Sequence, residues 1–166
     1  MAEEPAGAPL PQVAAVVDWY GPTDFSLMDD QAGSSSDMGH DDPDSPESQL
    51  LGAPVQSVPD LVADANPLRF VSEHTPPVHV RHGRLDRLVP FGQSQILVEE
   101  LHRAGASVDW RAVEDAGHVF VDHPTPEMFI NEALRCLDEQ APVADARRRS
   151  RHAADRPRAR GRAARA

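Results

Sequence analysis

The chain has 166 residues, enough for one ordinary domain, and carries a formal net charge of −11. Residues 143–166 contain nine Arg and two Asp, for a net charge of +7, so residues 1–142 carry −18. A body this acidic is a poor candidate for nucleic-acid binding, and the single cysteine, Cys136, excludes an intrachain disulfide and a cysteine-rich metal site.

Residues 1–12 are acidic and rich in proline, which predicts a flexible leader. The segment has neither the positive charge nor the apolar run of a secretory signal. No apolar stretch in the sequence approaches the length needed to span a bilayer. We therefore expect a soluble, cytoplasmic protein with no membrane partner.

The first predicted strand is Val13–Val17, a short uncharged run that suits a strand buried on both faces of a parallel sheet. A polar stretch rich in Asp and Ser follows a Gly-Pro turn, and it predicts a lid-like insertion outside the core over residues 26–58. We interpret one cluster in it as a solvated acidic loop without a metal, since the Gly and closing Glu of a calcium-binding loop are lacking. The residues of this cluster are His40, Asp41, Asp42 and Asp44.

The rest of the chain alternates between predicted helices and strands. Pro46 and Pro59 begin two short helices, because proline is favoured in the first turn. The patterns then predict, in order, a strand at 78–82, a helix at 93–104, a strand at 107–113 and a helix that starts at Thr125. This alternation predicts an α/β fold of about three parallel strands with flanking helices, in a domain that spans residues 13–142.

The last predicted helix and the residues after it differ in composition. Five apolar side chains recur at helical spacing and predict a buried stripe: Phe129, Ile130, Ala133, Leu134 and Leu137. Cys136 lies among them and is interpreted as a small core residue. Residues 143–166 predict a disordered, solvated tail, and nucleic-acid binding through its nine Arg is a weaker alternative.

Asp86 and His118 follow two successive predicted strands, at the point where each strand ends. Ligands of open α/β sheets bind outside the carboxyl ends of the strands, so an acid and a histidine there suggest two members of a hydrolytic triad. Each residue also has a simpler interpretation. Asp86 alone suits a turn cap ahead of the following helix, and His118 alone suits a hydrogen-bonded loop histidine.

Several stretches, in this order along the chain, resemble a known family: VVDWYGPTDF (16–25), DSPESQLLGAPV (44–55), ANPLRFVS (65–72), PPVHVRHGRLDRLVP (76–90) and AGHVF (116–120). Together they are similar to the C-terminal half of an α/β-hydrolase, of the esterase, dienelactone hydrolase and prolyl-oligopeptidase-like kind. The most specific feature is the HG-x-x-D-x-x-VP pattern followed by a Gly-His pair. The resemblance implies a partial α/β-hydrolase fold over most of residues 13–140.

The resemblance also implies roles for the two candidate residues. Asp86 would be the triad acid and His118 the general base of a serine hydrolase that acts on a small ester or a peptide-like substrate without a cofactor. Asp24 also follows a strand end and is a weaker alternative for the acid. Four further residues are less suited to a role in the triad: His79, His82, His123 and Ser94, the last of which lies inside a predicted helix.

The chain departs from the family pattern in ways that limit this interpretation. The sequence contains no G-x-S-x-G nucleophile motif, and the family's nucleophile and oxyanion loop would both precede Val13. We therefore expect a C-terminal fragment that does not hydrolyse esters alone. Arg81 and His79 also occupy a strand where relatives carry apolar residues, and a buried Arg is costly unless it is paired.

A non-catalytic function is the alternative. Without the family's preceding segment, the strand at 13–17 would have one open edge, which favours pairing with another strand. The chain would then be a remnant or an interaction module that completes its fold with a partner chain or by self-association at that edge.

Overall fold

The computed structural model describes residues 12–32, 36, 38–120, 123 and 125–140. Residues 1–11 of the predicted leader and the whole predicted tail lie outside them. Short 3₁₀ turns occur at Phe25–Leu27, Val55–Ser57, Pro67–Phe70 and His118–Phe120. The strands and α-helices are β1 (Val16–Trp19), α1 (Met28–Ala32), α2 (Pro46–Leu51), α3 (Pro59–Ala65), β2 (Val78–Gly83), α4 (Gly92–Arg103), β3 (Val108–Val113) and α5 (Glu127–Gln140).

The described strands form one parallel sheet in the order β1-β2-β3, with helices against it, which confirms the predicted fold class. Strand β1 begins at Val16 rather than at Val13. Val16 lies opposite Val78, so the same register would place the preceding residues of this strand opposite two prolines, Pro76 and Pro77. Because proline has no N–H to donate, the ladder does not extend in that direction.

The two faces of the sheet bury separate apolar clusters. On one face, Val78 and Val80 of β2 pack with Val98 and Leu101 of α4. The other face carries a second cluster that reaches the start of α5: Val113, Ala116, Phe120 and Phe129. Successive side chains of a strand point to opposite faces of the sheet. Helix α4 therefore packs on one face of β2 and helix α5 on the other.

A network of ion pairs lies between the second face of the sheet and α5. Buried Arg81 binds Asp109 through Nη2 at 2.8 Å and Glu132 through Nε at 3.2 Å, and its Nη1 donates to the carbonyl oxygen of Val80. His79 lies 2.8 Å from the same Asp109 carboxylate, and burial, followed by the Arg81 charge, lowers the pKa of this imidazole. The buried Arg81 is therefore paired, which is the condition for tolerating a charge on an interior strand.

The predicted apolar stripe on α5 is only partly buried. Phe129 and Ala133 are buried, but Ile130, Leu134 and Leu137 are 51%, 55% and 42% exposed. The prediction was wrong for these three residues because the sheet covers a narrower arc of the helix than the stripe occupies.

The segment predicted as a lid outside the core contributes buried side chains. Met28 and His40 are fully buried, so the expectation that this stretch lies outside the core was wrong at both positions. The Asp29 carboxylate accepts hydrogen bonds from the backbone N–H groups of His40 at 2.7 Å and Asp41 at 3.0 Å, which fastens the polar loop to α1. No helix among the described residues combines the length and the hydropathy that crossing a bilayer requires.

Candidate active site

Asp86 lies in the turn that follows β2, and each of its carboxylate oxygens has a distinct set of donors. Oδ1 accepts from the backbone N–H groups of Leu88 and Val89, both at 2.9 Å, which closes the turn. Oδ2 lies 2.8 Å from Nδ1 of His118. Asp86 can therefore cap the turn and pair with His118 at the same time, because the two interactions use different oxygens of its carboxylate.

His118 is held beside Asp86 by backbone contacts between the two loops. The N–H of Leu85 donates to the carbonyl oxygen of Ala116 at 3.0 Å, and a side chain on Gly83 would collide with the same oxygen. Val119, the next residue after His118, has φ = 63°, which is unusual for a β-branched side chain. Backbone strain of this kind occurs at functional sites, where the surrounding contacts enforce it.

The hydrogen bond fixes the tautomer of His118. The Asp86 side chain is 0% exposed, whereas that of His118 is 26% exposed. An ionised carboxylate accepts but does not donate, so Nδ1 of His118 must carry the proton. Nε2 then keeps its lone pair, and it has no hydrogen-bond partner in the part of the chain that the structure describes. An imidazole in this state can accept a proton from an attacking hydroxyl.

The surroundings of Asp86 keep its carboxyl group ionised. Burial alone would raise its pKa, but hydrogen bonds from His82, Val89, His118 and Leu88 together hold the pKa below its usual range. The Tyr20 ring packs on the His118 ring, with 4.5 Å between the ring centroids. Burial and the Asp86 charge raise the pKa of the Tyr20 hydroxyl, so this phenol is neutral at physiological pH.

Three of the other residues considered for the triad, Asp24, His79 and His123, interact with different side chains. Asp24 caps a 3₁₀ turn, where it accepts from the N–H of Ser26 at 3.0 Å and from the Asn66 amide at 2.9 Å, and it does not reach His118. His79 belongs to the ion-pair network around Arg81. His123 lies 3.9 Å from Asp115, at the start of the loop that carries His118.

His82 is the residue that sequence reasoning undervalued. Its imidazole is fully buried, and its Nε2 lies 3.3 Å from Oδ2 of Asp86. The signal for it was present in the sequence. His82 lies near the end of β2, and Asp86 lies four residues later in the turn that follows this strand. The short turn therefore brings the two side chains together.

Two cavities flank the face of the sheet that carries α5. A recess of 270 Å³ beside His118 is mainly apolar and is lined by Trp19, Tyr20, Phe120 and Ile130, among others. A larger cavity of 340 Å³ adjoins the ion-pair network of Arg81. Neither cavity is lined by Asp86 or His118 themselves, but the recess is lined by Tyr20, whose ring packs on His118. The recess near the carboxyl ends of the strands is the better placed of the two for a ligand of this pair.

The family model that matches this chain describes a family of esterases. The family model of BD-FAE, an α/β-hydrolase-type esterase family, matches residues 3–101, a range that includes Asp86 and ends before His118. No curated protein matches the sequence.

Solved structures extend the likeness beyond the family match. A truncated carbohydrate esterase from gut microbiota is 29% identical, with a TM-score of 0.65, over 77% of this chain and 42% of that one. The bifunctional GH43-CE protein of Bacteroides eggerthii is 26% identical, with a TM-score of 0.59, over 77% of this chain and 17% of that one. A puromycin-hydrolyzing peptidase of Mycobacterium tuberculosis, 20% identical with a TM-score of 0.59 over 76% of this chain and 18% of that one, shares the fold. The chain spans less than half the length of each.

Proposed function

The chain belongs to the BD-FAE family, an α/β-hydrolase-type esterase family, and on that premise we propose that it supplies the acid and the base of a serine hydrolase. Asp86 is the acid and His118 the base in this proposal. The observation that supports it is the 2.8 Å hydrogen bond between a fully buried carboxylate and a half-buried imidazole whose Nε2 has no hydrogen-bond partner among the described residues. The nucleophilic serine lies outside these 166 residues, because the sequence has no G-x-S-x-G motif.

The proposed reaction is acyl transfer from a carboxylic ester or a peptide-type bond. Nε2 of His118 takes the proton of the serine hydroxyl as its oxygen attacks the carbonyl carbon, and then returns that proton to the leaving group. Water repeats the sequence on the acyl-enzyme, with His118 again as the base, and releases the acid and the serine. Asp86 stays ionised throughout, holds the Nδ1 tautomer and stabilises the imidazolium in each step.

Among possible substrates, a carboxylic ester is favoured over a peptide because the matching family is one of esterases. The apolar recess beside His118 suits a hydrocarbon group of the substrate.

A second candidate function is a non-catalytic module that completes its fold with another chain. Two observations favour it: β1 has no strand on its outer edge within the described residues, and Ile130, Leu134 and Leu137 are exposed on α5. A partner chain that adds a strand to β1 would close the open edge. Cooperative unfolding of a monomeric 1–142 chain without a partner would contradict the need for one.

An ester-hydrolysis assay tests the catalytic proposal. The 166-residue chain should hydrolyse 4-nitrophenyl acetate no faster than its His118→Ala variant, because the sequence has no G-x-S-x-G motif to present a serine to the base. Exposed His74 gives the matched control, so His74→Ala should behave as the wild type does. Turnover by the 166-residue chain that disappears with His118→Ala would contradict the proposal, since it would place the nucleophile inside this chain.

The complementary assay uses a chain that supplies the nucleophile. Reading the coding DNA upstream, in frame, for G-x-S-x-G is the first step. In a longer chain with that motif, we expect ester hydrolysis, and His118→Ala should lower kcat by a factor on the order of 10⁶. Activity that His118→Ala leaves intact would exclude His118 as the base.

A further inference from the structure

A second histidine contacts the Asp86 carboxylate from inside the protein. His82 is 0% exposed, and its Nε2 lies 3.3 Å from Oδ2 of Asp86 and 3.0 Å from the carbonyl oxygen of Val89. Both neighbours of this nitrogen are acceptors only, so Nε2 must carry a proton. That N–H donates to the carbonyl oxygen of Val89 at 3.0 Å, and Oδ2 of Asp86, the oxygen that accepts from His118, lies in longer contact with it at 3.3 Å.

The other nitrogen of His82 is also fixed. Nδ1 lies 2.7 Å from Oγ of Ser94, a fully buried residue in the first turn of α4. With the proton on Nε2, the neutral ring accepts at Nδ1 from the Ser94 hydroxyl. The edge of the ring meets Phe91, with 5.6 Å between the ring centroids. The contacts with Asp86, Val89 and Ser94 thus determine the tautomer of the ring, and together with Phe91 they determine its orientation.

We propose that His82 is a positioning residue that holds Asp86 for His118, and that Ser94 in turn holds His82. This inference rests on the proposed function, since that function gives the Asp86–His118 pair its role. Oδ1 is held by two backbone N–H groups and Oδ2 by two imidazoles, so the carboxylate plane cannot rotate without breaking a hydrogen bond. A carboxylate fixed in this way fixes the ring of His118 and the direction of its Nε2.

Titratable groups from three directions face this network. Tyr20 and Asp18 approach from β1 and the turn after it, and His118 approaches from the loop after β3. Burial raises the pKa of Asp18, while its hydrogen bond from Gly21 and the nearby His82 lower it. For Asp86, the hydrogen bond from His82 is the largest of the influences that lower its pKa. Removing His82 should therefore raise the pKa of Asp86.

The sign of the stability effect follows from linkage. A carboxyl group whose pKa is lowered by folding stabilises the fold above its unfolded pKa, and this contribution is lost as the pH falls through the folded pKa. If the loss of His82 raises the folded pKa of Asp86, acid unfolding should begin at a higher pH.

The test is the titration of Asp86 in the 166-residue chain, followed by NMR of the ¹³C-labelled carboxyl carbon. The variants are His82→Phe, which removes the donor, and His82→Gln, which returns an N–H group. Val98→Ala is the matched packing control, because Val98 is a buried residue of α4 in the apolar cluster around Val80. We expect His82→Phe to raise the pKa of Asp86, His82→Gln to return it toward the wild-type value, and Val98→Ala to leave it unchanged.

Two results would overturn the inference: an unchanged Asp86 titration in His82→Phe, or an equal rise in Val98→Ala. If His82→Phe does not fold, Ser94→Ala provides the test, because it frees Nδ1 of His82 and should raise the pKa of Asp86 in the same direction. An unchanged Asp86 titration in Ser94→Ala would then overturn it. If the pKa of Asp86 in the wild type is not lowered, the result counts against the proposed function itself. If that pKa is lowered but His82→Phe leaves it unchanged, only the positioning role of His82 is overturned.

Discussion

Replacing Arg81 with alanine should lower the free energy of unfolding by about 3 kcal/mol, the lower end of the cost of breaking a buried ion pair from one side. The substitution removes the donors that lie 2.8 Å from Asp109 and 3.2 Å from Glu132. The cost stays at the lower end because Asp109 is 63% exposed and Glu132 keeps Arg111 at 3.0 Å. It also removes the hydrogen bonds from Nη1 to the carbonyl oxygens of Val80 and Asp109, both at 2.8 Å. Urea denaturation followed by circular dichroism measures the loss.

Two further variants separate pairing from packing at this position. Arg81→Met keeps an apolar stem of similar length, so a loss close to that of Arg81→Ala would assign the effect to the missing charge. Arg69→Ala is the exposed control, because its pair with Asp64 lies in solvent and should contribute less than about 1 kcal/mol. Wild-type stability in Arg81→Met would contradict the structural role given to this network.

Replacing Gly83 with alanine should destabilise the fold by about 3 kcal/mol, at the upper end of what overpacking costs. The added Cβ would lie 2.6 Å from the carbonyl oxygen of Gly117 and would collide with that of Ala116. Both obstacles are backbone atoms, so the loop that carries His118 would have to move. Thermal unfolding reports the loss of stability, and the Nδ1–H resonance of His118 reports the loss of its contact with Asp86.

Gly105→Ala is the matched control for this substitution. Gly105 has φ = 75°, but no atom beyond its own residue and its chain neighbours lies within 4 Å of the position that its Cβ would take. Only the left-handed backbone should then oppose the side chain, at a cost of about 1 to 2 kcal/mol. The control should leave the Asp86–His118 contact unchanged. An intact contact in Gly83→Ala would contradict the close packing of the two loops.

The order of the elements and the meeting of Asp86 with His118 could be predicted from the sequence. Short apolar runs bounded by Gly and Pro predict strands, and the carboxyl ends of parallel strands lie at one edge of the sheet. Neighbouring strands therefore bring together two side chains that are 32 residues apart in the chain. The roles of these residues in catalysis remain a proposal.

Local sequence patterns could not predict contacts between side chains that are far apart in the chain. Arg81 was recognised as costly on an interior strand, yet its partner Glu132 lies 51 residues further along the chain and on a helix. The same limitation applies to the lid-like segment, where composition predicted exposure but Met28 and His40 are buried by contacts that no local pattern specifies.

The width of the apolar face on α5 was also misjudged, for a related reason. Helical spacing shows which side chains share a face, but the arc that is buried depends on the size of the sheet beneath it. In the described residues this arc includes Phe129 and Ala133 and excludes Ile130, Leu134 and Leu137. These three exposed residues are the ones that the second candidate function would place against a partner.

The tautomer of His118 tests the central claim most directly. ¹⁵N NMR of the 166-residue chain with labelled histidine, at a pH where His118 is neutral, distinguishes a proton on Nδ1 from one on Nε2. The proposed acid–base pair predicts the proton on Nδ1, hydrogen-bonded to Asp86, and a change of this signal in Asp86→Ala. A proton on Nε2, with no hydrogen bond from Nδ1 to Asp86, would contradict the assignment of His118 as a base held by Asp86.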